Sequence, residues 1–108
     1  MTFAEIPAEA QVFIDANIFI YHFGGQSVEC RTLLERCARR ELVGYTSTFV
    51  LAEVAYRLMI AEAVQKNLVT AKGAVQKLAE KPEIVKKLER YDDDLKQIGQ
   101  MNIKIMVC

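Results

Sequence analysis

Apolar residues run along this chain in two rhythms. Val12, Phe13 and Ile14 form an unbroken run that ends at Asp15; Ala16 and Asn17 follow, then a second run from Ile18 to Tyr21. A short run rich in β-branched and aromatic residues, with no polar face, predicts a strand buried on both sides, as in a parallel sheet. Ile18 to Phe23 predicts a short helical turn, broken by Gly24 and Gly25. The period then becomes helical. Ser27 is placed to cap a helix to about Arg40, with Cys30, Leu33, Leu34, Cys37 and Leu42 on or near one stripe. Leu42 to Tyr45 predicts a second strand. Thr46, Ser47 and Thr48 offer capping hydroxyls to a third helix, apolar almost all round from Phe49 to Ile60, which predicts burial on most sides. Asn67 is its expected stop. Thr70 opens a helix to about Glu80, and Pro82 opens another to about Gln100 with a stripe of Ile84, Val85, Leu88, Tyr91, Leu95 and Ile98. Ile103, Ile105 and Val107 alternate with Lys104, Met106 and Cys108 in a last strand.

The predicted order is β-α-α-β-α-α-α-β. Strands alternating with helices argue for a parallel α/β sheet with right-handed crossovers. The 108 residues suffice for one domain, 1–108, and not for two. Three strands make a small sheet, and a first strand buried on both faces is an interior strand, so more sheet is expected beyond these residues.

Composition removes several function classes. The formal net charge is zero, so no global field draws in nucleic acid. A nucleic-acid role needs a local patch: Arg36, Arg39 and Arg40, or Lys81, Lys86, Lys87 and Arg90. Both sets fall in helical stretches, where such charges commonly make a solvated face. Cys30, Cys37 and Cys108 lack metal-type spacing; Cys30 and Cys37 read as small core hydrophobes. That usage fits a reducing cytoplasm. Met1 to Ala10 has no basic n-region, and the longest apolar run is far below the roughly 20 residues that span a bilayer, so no membrane association is expected.

Two acids carry the candidate chemistry. Asp15 ends a parallel strand, where ligands bind in open α/β sheets. Glu53 lies in an otherwise apolar helix, and burying an ionised carboxylate is costly unless it is paired or holds a metal. Two readings stay open. Glu53 pairs with Arg57 four residues on, along an exposed stripe. Alternatively, Glu53 points to the strand end carrying Asp15, where two converging carboxylates favour a hard divalent ion. Asp92, Asp93 and Asp94 beside Lys96 read as a solvated face, and His22, the single histidine, as a surface or packing residue.

From Val12 to about Ala63 the chain resembles the N-terminal half of a PIN domain, close to the VapC-type toxins. The matching pieces are Phe13-Ile14-Asp15-Ala16-Asn17-Ile18-Phe19-Ile20-Tyr21, Gly44-Tyr45-Thr46-Ser47 and Phe49-Val50-Leu51-Ala52-Glu53-Val54, with Glu53 six residues after Ser47. The resemblance implies a three-layer α/β/α fold with a small parallel sheet, cut short after its third strand. It implies a metal-dependent endoribonuclease using Mg²⁺ or Mn²⁺, a toxin with RNA as substrate and an antitoxin protein as partner. By position, Asp15 and Glu53 resemble the metal-ligand acids. Asn17 resembles the residue that orients the first acid or the scissile group, and Ser47 the hydroxyl beside the site. Asn17 and Ser47 also read as helix caps. The family usually supplies further acids after the third strand, and this chain ends at Cys108. The domain is therefore expected to be incomplete at its C-terminus, with half a metal site and impaired activity alone. With later strands absent, the first strand becomes a sheet edge, which predicts a homodimer or higher oligomer. The alternative is a non-catalytic, oligomerising interaction module. A phosphatase or receiver-type site on Asp15 is disfavoured, because no later strand-end lysine pairs with a Ser/Thr-bearing strand.

Overall fold

The computed structural model describes residues 2–107, the side chains at 71, 75 and 82 excepted. Three strands, β1 (Gln11–Phe13), β2 (Val43–Ser47) and β3 (Lys104–Met106), form one parallel sheet in the order β1-β2-β3. The helices are α1 (Ala16–Phe23), α2 (Val28–Ala38), α3 (Thr48–Gln65), α4 (Ala74–Glu80), α5 (Pro82–Val85) and α6 (Arg90–Ile98), with 3-10 turns at Phe3–Glu5 and Ala71–Gly73. The expected α/β architecture with parallel strands is the one that forms.

Sheet register decides what each strand buries. Val12 pairs with Gly44 and Phe13 with Tyr45; Thr46 pairs with Ile105 and Ser47 with Met106. Side chains alternate along a strand. Val12, Gly44 and Thr46 therefore share one face with Ile14, the next residue of that parity. This face meets the main core, built from Ile14, Phe19, Leu33, Leu34, Cys37, Val54 and Ile98. Phe13, Tyr45 and Met106 share the other face and stand outside that core. Phe13 is 53% exposed. The expectation that the first strand is buried on both faces thus fails: β1 is covered on one side, and the described helices pack against that side. A fully buried Ile or Phe contributes roughly 1.5–3 kcal/mol, so the covered face holds the sheet to its helices.

Gly44 lets α2 approach β2. A Cβ there would lie 2.8 Å from Cys37 Sγ and 3.3 Å from Ile103 Cγ1, closer than atoms pack. Cys30 and Cys37 are both buried, as small core residues should be, and burial pushes the Cys37 thiol pKa up. Cys108 lies outside the described residues. Arg36, 8% exposed, is drawn inward from the first proposed basic patch. Its Nη1 donates to the carbonyls of Phe3 at 2.9 Å and Ile6 at 2.7 Å, and its Nε to Glu41 at 3.2 Å, tying the N-terminal turn to α2. Arg39 pairs with Glu35 and Glu41. Arg36 is thereby withdrawn from that patch, while Arg39 and Arg40 stay exposed.

Two helices depart from expectation. α3 is not buried on most sides: Phe49 is 73% exposed and Tyr56 is also exposed, because α3 packs with one side toward α1 and α6 and leaves the other open. The helix expected from Pro82 to about Gln100 breaks into α5 and α6. Glu62 causes the break. Its carboxylate on α3 accepts the backbone N–H of Glu89 at 2.8 Å and of Tyr91 at 2.9 Å, starting a new helix there. The far end of α3, with Ala63, packs on Val69, Ala74, Leu78, Ile84 and Leu88 as a second, smaller cluster. Asn67 takes a left-handed φ of 59° just past α3, the expected stop.

Candidate functional site

Of the four residues singled out by sequence, Asp15 follows β1 and Ser47 ends β2, while Asn17 lies in α1 and Glu53 in α3. Pairing continues past β1 through Ile14 N–H to the Tyr45 carbonyl at 2.7 Å, and Thr46 Oγ1 donates to the Ile14 carbonyl at 3.0 Å. These bonds fix the strand end from which Asp15 emerges. Asp15 is the N-cap residue of α1 with extended backbone, yet its carboxylate makes no capping bond, and the residue is exposed. Its charge therefore sits free at the positive pole of α1, a favourable place for an acid.

Ser47 ends β2 and caps α3, its Oγ accepting the Val50 N–H at 3.1 Å; the residue is buried. Its hydroxyl is thus committed to the helix that carries Glu53. Glu53 itself is exposed, not buried. Its carboxylate meets Arg57 Nη1 at 3.4 Å, the intrahelical pair that the spacing allowed. The same Nη1 crosses to α1 and donates to Asn17 Oδ1 at 2.8 Å. Through Arg57, then, Asn17 and Glu53 come together from different elements, and Asp15 stands two residues before Asn17 at the head of α1. Asn17 does not cap α1; Asp15 occupies that position.

The donor chemistry suits a hard cation: two carboxylates and a side-chain amide oxygen, without thiolate or imidazole. Asp15 and Glu53 are the residues that would hold such an ion. Among the described residues no three of His, Cys, Asp or Glu gather as a metal-ligand cluster, so two carboxylates would leave most of the shell to water.

Other polar groups take different places. His22 is in the last turn of α1, about 10 Å of helix rise from Asp15. It packs against Phe23 with ring centroids 4.9 Å apart, and burial lowers its pKa. Asp92 is exposed and pairs with Lys96 at 3.0 Å, and Asp93 is exposed. Asp94 differs from the expected solvated face. It is half-buried on the side of α6 shared with Ile98, lining a groove with Arg57 and Tyr91, and burial raises its pKa. Glu62, 4% exposed, went unnoticed in the sequence, although Lys66 at i+4 was a readable sign of a paired acid.

A family model described as the PIN domain matches residues 12–101. Among curated proteins, ribonuclease VapC2 of Methanocaldococcus jannaschii is 31% identical over 81 residues, which take in 75% of this chain and 48% of that protein. The chain therefore spans about half the length of this curated relative. No solved structure matches the chain. Among the described residues, no helix is long and apolar enough to cross a membrane.

Proposed function

Since this chain belongs to the PIN-domain family, we propose that the strand ends of β1 and β2, with α3, form the N-terminal half of a metal-dependent endoribonuclease site. On this reading the whole protein is a cytoplasmic toxin of a toxin–antitoxin pair, with RNA as substrate and an antitoxin protein as partner. The observation that carries the reading is that Asn17 on α1 and Glu53 on α3 meet through Arg57, with Asp15 two residues before Asn17 at the C-terminal edge of a parallel sheet. The ribonuclease name of a relative 31% identical supports the reaction class.

Asp15 and Glu53 are the ligands for Mg²⁺ or Mn²⁺. Such an ion, when bound, activates water and offsets charge building on a phosphoryl oxygen. Asn17 positions polar groups around Glu53 through Arg57. Ser47 sets the direction of α3 and so the place of Glu53. Two carboxylates alone bind a hard ion weakly.

Asp15→Asn and Glu53→Gln in the full-length protein should each abolish metal-dependent RNA cleavage. Circular dichroism should stay unchanged, because both side chains are exposed and neither bonds the backbone of its helix. Cleavage retained by both variants would sink the site assignment. One observation favours a second reading, a non-catalytic oligomerising module: the open sheet face of Phe13, Tyr45 and Met106. Wild-type protein that associates but never cuts RNA with Mg²⁺ or Mn²⁺ would select it.

A further inference from the structure

A cation of the chain itself reaches into the acidic end of the sheet. Arg57 Nη1 lies 2.8 Å from Asn17 Oδ1 and 3.4 Å from Glu53 Oε2. The first distance is that of a good hydrogen bond; the second is at the loose end. A surface Glu–Arg pair at i,i+4 needs only its own helix and is worth little. Arg57 instead makes its shorter bond to a different helix, next to the first turn of α1. That turn carries the positive pole of the helix dipole and is a poor place for a guanidinium. The Glu53 carboxylate, one turn back on α3, supplies the charge that offsets it, and Asp15 stands at the N-cap of that same turn of α1.

We propose that Arg57 is an internal counter-ion at the candidate metal site, one that a divalent cation must displace from Glu53, so that Arg57 sets the metal affinity of this chain. The inference rests on the reading of Asp15 and Glu53 as metal ligands. With Arg57 in place, the charge of Glu53 is partly offset by its paired guanidinium; without Arg57 that charge is left to an incoming cation. Glu53 is the loosely held partner and gives way first. Asn17 keeps the guanidinium nearby after the exchange, which makes Arg57 a positioning residue and not a ligand.

The test is Mn²⁺ binding to the 108-residue chain, followed by calorimetry and by loss of the free-ion paramagnetic resonance signal. Arg57→Gln removes the charge and keeps a donor for Asn17. It should bind Mn²⁺ about tenfold more tightly than wild type at low salt, with the gain shrinking as added salt screens the site. Arg57→Lys keeps the charge and should bind like wild type. Glu53→Gln should lose binding. If Glu53→Gln loses binding while Arg57→Gln matches wild type or binds more weakly, the Arg57 inference falls and the metal-site reading stands. If Glu53→Gln binds as wild type does, or no variant binds Mn²⁺ up to about 10 mM, both fall together. Each variant is also melted in chelator, where an Arg57→Gln fold like that of wild type assigns the affinity change to the charge.

Discussion

Glu53 and Glu62 share one helix, nine residues apart, and meet opposite environments. Nine residues make two and a half turns, so the two acids face opposite sides. Glu53 stays exposed at the sheet end, while Glu62 is buried under the start of α6. Burial pushes the Glu62 carboxyl up, but hydrogen bonds from Lys66 and from the N–H groups of Glu89, Tyr91 and Arg90 outweigh it and bring its pKa from 4.5 to about 2. The folded pKa is depressed, so the stabilisation is complete above about 4.5 and is lost as pH falls from there toward 2. Its upper bound is about 3 kcal/mol. Glu62→Gln should therefore lower unfolding free energy clearly at neutral pH and much less at about pH 3. Urea unfolding at both pH values checks this, and an equal gap between variant and wild type at the two would refute the linkage. The apolar neighbours of α3 drew attention to Glu53 as the costly acid. The burial falls on Glu62, because which side of a nearly all-apolar helix turns inward is set by its tertiary partners, not by its own pattern.

At the scale of elements, strand positions and the two serine caps were readable because their signals are local, whereas Thr70 makes no cap bond and the helix expected from it begins only at Ala74. Ser27 and Ser47 cap α2 and α3 as their hydroxyls foretold, with Cys30 and Val50 as the donors. The break between α5 and α6 was not readable: the stripe from Ile84 to Ile98 runs on unbroken, and the group that interrupts it sits more than twenty residues earlier, on α3. The same holds for the candidate site. Asp15 and Glu53 could be placed from spacing, whereas the bond from Arg57 to Asn17 spans forty residues and depends on how α3 lies on α1. Gly44 is another such contact, needed only because Cys37 arrives from α2. Gly44→Ala should cost about 1–3 kcal/mol, since Sγ and Ile103 must both shift. The double variant Gly44→Ala/Cys37→Ala should recover part of that loss in thermal melts. A Gly44→Ala protein as stable as wild type would mean that α2 does not sit so close.

For the whole molecule the decisive feature is asymmetry across the sheet. The described residues extend 45 × 28 × 19 Å, with the main apolar core, drawn from α1, α2, α3 and α6, on one face of a three-stranded sheet. Phe13, Tyr45 and Met106 line the other face together with the polar Gln11, Ser47 and Lys104, whose Nζ lies 5.6 Å from the Tyr45 ring centroid. β1 stands at the edge of the sheet, and an apolar edge strand is a template for pairing. Parallel strands end together, so a parallel strand added beside β1 would bring its own C-terminal end next to Asp15. The open edge and Asp15 therefore lie at one place, so a strand added there brings its own side chains beside Asp15. Expressed alone, the chain should associate through this edge at micromolar concentration, giving a light-scattering mass well above its 12.2 kDa. Phe13→Lys, at an exposed position outside the core, should lower that mass toward 12.2 kDa without loss of helical circular dichroism. A wild-type chain that is monomeric under the same conditions would rule out self-association by this face.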